Sequence, residues 1–251
     1  MSEPLEPEPS PGVRIVRIGR PQRRNAVDTE TAERLYQEFS EFDRDPDAKV
    51  AVLTGDQSAF CAGADLSNLP RLRDSGPLGP TRLELSKPTI AAIDGWCVAG
   101  GVELAAWCDI RVAGETAKFG CLERRWGVPL IDGGTVRLPR IVGLGRAMDL
   151  ILSGRGFDAV EAERIGFVQR LVPAGHALGA AVELANEIAS YPWPAVVHDR
   201  LSAYESYGLS TADALANEDR HGREVIFDPA FSDGVAKFHA DQLRRRNEGS
   251  R

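Results

Sequence analysis

Ala99-Gly100-Gly101-Val102-Glu103-Leu104-Ala105-Ala106 is the stretch on which the reading of this 251-residue chain turns. A strand running up to Ala99 ends in two glycines, and Gly101 to Trp107 suits the first turns of a helix. Backbone N–H groups at a helix start lack intrahelical partners and carry the positive end of the helix dipole. Glycine there lets a ligand carbonyl approach the backbone. Twenty positions beyond Glu103, a second glutamate closes Phe119-Gly120-Cys121-Leu122-Glu123. Upstream, Cys61-Ala62-Gly63-Ala64-Asp65-Leu66 forms another small-residue turn, with the Ala64 N–H as the natural second donor. Each piece alone has a plain structural explanation: close packing at Gly100-Gly101, an acid in a first helical turn at Glu103, a solvated charge at Glu123. Together they describe two acid/base carboxylates facing a pocket built to hold a developing oxyanion.

Bulk properties narrow the setting. Hydrophobic residues make up 43% and charged residues 27% of the chain, the balance of a soluble globular protein long enough to bury a core without disulfides. A formal net charge of −7 disfavours nucleic acid or an anionic membrane as partner. The four cysteines, Cys61, Cys97, Cys108 and Cys121, show no Cys-x-x-Cys spacing and lie far along the chain from His176, His198, His221 and His239. They read as reduced packing residues, with no zinc site expected. No apolar run is long enough to span a membrane, and Met1–Pro11, acidic and Pro-rich, reads as a disordered tail rather than a signal peptide. The cytoplasm is the expected compartment.

Working outward, Val13–Ile18 alternates as a strand, Asp28 can cap a helix to about Phe42, and Val50–Gly55 is a buried strand. Pro88–Val98 reads as strand interrupted at Gly95, and Asp109–Ala113 as another. Leu69–Thr81, with two Gly-Pro steps, reads as a flexible loop and a candidate lid. Beyond Gly143 the pattern turns helical: 146–152, 158–164 capped by Asp158, a short strand 167–172, then helices near 177–191, 194–206, 211–226 and 230–245. The expected division is a tail (1–11), a core (12–191) and a C-terminal helical region (192–251), with the last boundary at Tyr191-Pro192-Trp193-Pro194.

Taken in order, Arg20-Pro21-x-x-Arg24-Asn25-Ala26-Val27, Val52-Leu53-Thr54-Gly55, Ala59–Leu66, Lys87–Ile93, Gly100–Ala105, Cys108-Asp109-Ile110, Phe119-Gly120, Gly133-Gly134-Thr135 and Leu138-Pro139-Arg140 resemble the enoyl-CoA hydratase/isomerase (crotonase) superfamily. The resemblance covers roughly residues 13–250. It implies an α/β fold, a spiral of β-β-α turns followed by a C-terminal helical region that serves oligomerisation as a homotrimer or homohexamer. It also implies an acyl-CoA thioester as ligand, with coenzyme A part of the substrate and no separate cofactor or metal. The N–H groups of Ala64 and Gly100 would polarise the thioester carbonyl, and Glu103 and Glu123 match the two acid/base positions of the hydratases. Arg24, Ala26, Ala62, Gly63, Asp65 and Leu66 fall where CoA would lie.

One departure bears on the reaction. Before Gly133-Gly134-Thr135, where hydratases carry small residues, this chain has Leu130-Ile131-Asp132. Ile131 adds bulk near the expected water site. Asp132 adds a third acid where dienoyl-CoA isomerase relatives carry a catalytic aspartate, although a turn-capping role fits it equally. The leading expectation is an enoyl-CoA hydratase; the alternatives are an enoyl- or dienoyl-CoA isomerase using a glutamate and Asp132, and a non-catalytic acyl-CoA-binding member. A Ser or Cys hydrolase lacks its Gly-x-Ser-x-Gly elbow, and Gly143-Leu144-Gly145 does not complete a dinucleotide fingerprint.

Overall fold

The computed structural model describes residues 8–248, so most of the expected N-terminal tail lies outside the described residues. The chain divides into two compact units, residues 1–186 and 187–251, the division falling a few residues before Tyr191-Pro192-Trp193-Pro194.

The first unit is built on two sheets. Strands β1 (Val13–Arg17), β2 (Val50–Thr54), β4 (Thr89–Ile93), β6 (Ile110–Gly114) and β9 (Arg170–Val172) form a wholly parallel sheet in the order β1-β2-β4-β6-β9. Its inner strands β2 and β4 are buried along their whole length, which is why they read as unbroken apolar runs rather than alternating ones. A second sheet holds β3 (Ala59–Cys61), β5 (Trp96–Val98), β7 (Lys118–Gly120) and β8 (Gly156–Asp158), with only β8 antiparallel to its neighbour. Three successive passes of chain, β2 to β3, β4 to β5 and β6 to β7, give one strand to each sheet. That is the spiral.

Helices fill the gaps. Helix α1 (Thr29–Arg44) starts at Asp28, whose Oδ1 accepts from the Thr31 N–H at 2.9 Å, and buries Ala32, Leu35, Phe39 and Phe42. Helix α2 (Gly100–Trp107) is buried at all eight residues. Phe39 meets Trp107 edge to face at 4.8 Å, while Phe119, Phe157 and Phe167 form an aromatic cluster beneath the second sheet's strands. The C-terminal end of α2 is closed by Arg111, buried on β6, whose guanidinium donates to the carbonyls of Cys108 at 2.8 Å and Ala105 at 3.3 Å. A cation there both satisfies orphan carbonyls and opposes the negative end of the dipole. Helices α3 (Gly134–Val142), α4 (Leu144–Ser153), α5 (Ala159–Arg164, capped by Asp158) and α6 (Ala177–Ala189) complete the unit.

Residues 69–81 contain no helix or strand, as expected, but only the first part is exposed. From Gly76 to Thr81 the segment is buried, Leu78 to 1% and Thr81 to 0% exposure. It is a packed wall rather than a flexible lid. In the second unit, α7 (Trp193–Glu205) and α8 (Thr211–Ile226) pack as a helical hairpin and α9 (Pro229–Glu248) packs on α8.

Candidate active site

The candidate oxyanion donors, the Ala64 and Gly100 amides, come from two chain segments pressed together. Gly63 has φ +89°, a conformation that favours glycine, and a methyl group on it would lie 2.8 Å from the Gly100 nitrogen. A methyl on Gly101 would lie 2.2 Å from the Cys61 carbonyl oxygen. Glycine at both positions therefore lets the start of α2 rest on the Cys61–Ala64 turn, which brings the Ala64 and Gly100 amides side by side. Neither N–H donates to a described protein acceptor. Ala99, a non-glycine residue at φ 53° and ψ −127°, turns the chain from β5 into α2. Such a conformation costs about 1–3 kcal/mol and persists only where the surroundings impose it. Here Ala99 donates its N–H to the Gly120 carbonyl at 2.8 Å, tying the donor turn to the strand that leads to Glu123.

Turn 62–66 is fixed from the other side by Arg20. Its guanidinium lies 3.0 Å from Asp65 and 3.0 Å from Asp28 and donates to the Ala26 carbonyl at 2.6 Å. Val27 and Ala64 then form a parallel bridge, with Val27 donating to the Gly63 carbonyl and Asp65 to that of Val27. The predicted CoA residues are thus neighbours. Arg24 and Leu66 are exposed, Ala26 and Ala62 half-buried, Gly63 buried, and the Asp65 carboxylate is occupied by Arg20 and the Ser67 N–H.

Both glutamates are buried, Glu103 at 3% and Glu123 at 6% exposure. Glu103 Oε1 accepts two backbone N–H groups, from Asp132 at 2.9 Å and Gly134 at 2.8 Å. Burial raises its pKa to about 7 against the pull of the Gly134 N–H, with the nearby Asp132 carboxylate adding to the rise. Glu123 sits in a single 3-10 turn, Leu122–Trp126, and neither of its carboxyl oxygens has a protein hydrogen-bond partner. Burial pushes its pKa up as well, ahead of the opposing effects of its own backbone and Arg124. Burial raises the pKa of the Cys121 thiol, and the charges of Glu123 and Glu103 add to the rise.

Asp132 is equally buried, but its Oδ1 accepts from the Leu78 N–H at 3.0 Å and the Thr81 hydroxyl at 2.5 Å. Burial nevertheless raises its pKa, outweighing both bonds. Around it, Arg137 donates to the Asp132 and Thr81 carbonyls and Arg82 to the Ile131 carbonyl. The wall 76–81 is therefore strapped to the 131–133 turn. Leu78 reaches over the start of α2, its Cδ1 occupying the space where a methyl on Gly100 would fall. Ile131, expected to crowd the water site, is 39% exposed; the residue against Glu103 Oε1 is Gly134. The two amides that hold Glu103, and Leu78 itself, were not anticipated. Gly133-Gly134-Thr135 was the available signal for the first.

The chain is similar to known proteins over most of its length. Residues 8–214 match the sequence model described as enoyl-CoA hydratase/isomerase. The enoyl-CoA hydratase EchA19 of Mycobacterium tuberculosis is 41% identical over 237 residues, covering 89% of each chain. A short-chain-enoyl-CoA hydratase of Clostridium acetobutylicum is 39% identical over 236 residues, covering 90% of each. Among solved structures, an enoyl-CoA hydratase from Mycobacterium tuberculosis superposes with a TM-score of 0.88 at 33% identity, over 93% of this chain and 94% of that one.

Proposed function

The chain belongs to the enoyl-CoA hydratase/isomerase family, and from that premise we propose that it adds water across the 2,3-double bond of an enoyl-CoA thioester. The observation that carries this reading is the pair of buried carboxyls held differently: Glu103 by two amides on one oxygen, Glu123 by none.

The thioester carbonyl lies between the Ala64 and Gly100 N–H groups, which draw electrons toward its oxygen and make Cβ electrophilic. As water attacks Cβ, Glu103 takes its proton on Oε2, the oxygen left open by the amides on Oε1. Glu123, with no protein donor on either carboxyl oxygen to stabilise its anion, is the proton donor of this scheme and delivers a proton to Cα as the enolate collapses. The C=C π bond is replaced by a Cβ–O and a Cα–H bond. Glu103 ends protonated and Glu123 ionised, and exchange with solvent resets both. No cofactor or metal enters this scheme. Asp132, with its Oδ1 occupied by Leu78 and Thr81, holds the pocket wall instead of moving a proton. Arg24 and the backbone of Ala26, Ala62, Gly63 and Leu66 line the CoA path, and Asp65 fixes their turn through Arg20.

Among the described residues no helix is long and apolar enough to cross a membrane, in keeping with a cytoplasmic enzyme. Phe227, Phe231 and Phe238 in the second unit are exposed on the single chain, in keeping with assembly as a trimer or a hexamer of two trimers. Incubation with 2-enoyl-CoA esters of varied chain length, read by product mass, tests the reaction. A gain of one water is expected; unchanged mass with a shifted double bond would replace this reading with an isomerase.

A further inference from the structure

We propose that His198, His221 and Glu224 form a binding site for a divalent transition-metal ion of the zinc class, clamping α7 to α8 in the C-terminal unit. His198 lies on α7, and His221 and Glu224 are three apart on α8, so both point from one face of that helix. Packing of the hairpin brings the His198 and His221 Nδ1 atoms to 3.0 Å and Glu224 Oε2 to 3.5 Å from His198 Nδ1, with the three ligand atoms all within 4.8 Å. Two ligands of a tetrahedral zinc ion, each about 2.1 Å from it, stand roughly 3.4 Å apart. The two spacings from His198 Nδ1, 3.0 and 3.5 Å, lie close to that edge length.

At 3.0 Å the two Nδ1 atoms are at hydrogen-bond distance, one donating to the other, and loss of that single shared proton turns both lone pairs toward an ion. His221 is 4% exposed, and its Nε2 lies 2.9 Å from Glu205 Oε2. With Nε2–H donated to Glu205, the His221 Nδ1 presents a lone pair toward His198. A carboxylate behind a histidine is the usual outer support of a metal-bound imidazole. Arg220 also approaches His221 Nε2 at 2.9 Å, but it has Asn217, Glu205 and Glu224 as acceptors and does not need the ring. Its charge is offset by those two glutamates, leaving the site able to accept a cation. The two imidazole donors select zinc, cobalt or nickel over magnesium or calcium. The cysteines and histidines offered no site in sequence because the two imidazoles meet only across the hairpin.

The test uses tag-free full-length protein, dialysed against chelator and titrated with zinc alone by calorimetry and equilibrium dialysis. One ion per chain is expected, with a rise in Tm on zinc addition and visible d–d bands when cobalt replaces zinc. His198→Ala should weaken binding by at least about 100-fold and abolish the Tm rise, and Glu205→Gln should weaken it by about 10–100-fold. Glu224→Gln, on the exposed rim, repeats the test if His198→Ala loses helical circular dichroism. Absence of saturable one-to-one binding, or undiminished binding in both Glu224→Gln and a folded His198→Ala, would overturn the proposal.

Discussion

In the proposed reaction Glu103 is the base, yet burial resists its ionisation, and that conflict has two measurable consequences. With a pKa of about 7, it becomes competent as the pH rises through neutrality. The kcat/KM for hydration should therefore climb through a limb centred near pH 7. A flat profile between about pH 5 and 8 would contradict the assignment. Glu123→Gln should lower kcat by roughly 10²–10⁴-fold while CoA-ester binding persists, because only the proton for Cα is lost. The second consequence concerns stability. The folded pKa of about 7 lies above the ordinary value of 4.5, so between those values the folded chain keeps a proton that the unfolded chain has released. The stability this proton contributes is present below about 4.5 and lost as pH rises through about 7, an amount on the order of 3 kcal/mol. Glu103→Gln, which keeps an oxygen for the two amides, should therefore raise Tm relative to the parent at pH 8 but not at pH 5, while turnover disappears. Thermal melts at the two pH values decide it.

At the scale of elements, the active pocket depends on a wall with no regular structure. Residues 76–81 owe their position to the Asp132 carboxylate and to Arg82 and Arg137, contacts 50 or so positions away in sequence. Asp132→Asn preserves the accepting oxygen and should hold hydration within about tenfold of the parent. Asp132→Ala leaves the buried Leu78 N–H and Thr81 hydroxyl without their acceptor, costing about 1–3 kcal/mol and loosening Leu78 over Gly100. Steady-state kinetics of the pair separate a positioning role from proton transfer, since a proton-moving Asp132 would fail in both variants. The same contrast explains what could be read from the chain. Helix starts at Asp28 and Asp158 were visible because capping is local chemistry, and β2 and β4 because a doubly buried strand is an apolar run. Strands β3, β7 and β8, three residues each, are too short to carry a period, and Pro139 hides α3. The flexible-lid reading of 69–81 failed on its second half because glycine and proline mark irregular backbone, not exposure.

Across the whole molecule, the spiral explains why a site can be assembled from turns so far apart. Each pass delivers a strand end to the same edge: Cys61-Ala62 after β3, Ala99-Gly100 after β5, Cys121 before Glu123 after β7. The order of these turns was legible, since each has its own small-residue signature; their convergence was legible only through the family resemblance, because nothing local specifies which strand ends meet. The His198–His221 meeting had neither kind of signal. The passes also leave the four cysteines inside, all free and buried, with burial pushing the Cys61, Cys108 and Cys121 thiols up to about 12 and Cys97 likewise well above the ordinary thiol range. A thiol so reluctant to ionise is a poor nucleophile. Native protein should give no colour with Ellman's reagent over minutes at pH 8, and four equivalents in denaturant. Rapid labelling of native protein would show the unit to be open. In the folded chain, then, labelling is governed by how often the first unit opens, and under excess reagent its rate equals the unfolding rate. The cysteines make the spiral its own clock, an intrinsic stopwatch for the lifetime of the folded state that needs no introduced probe.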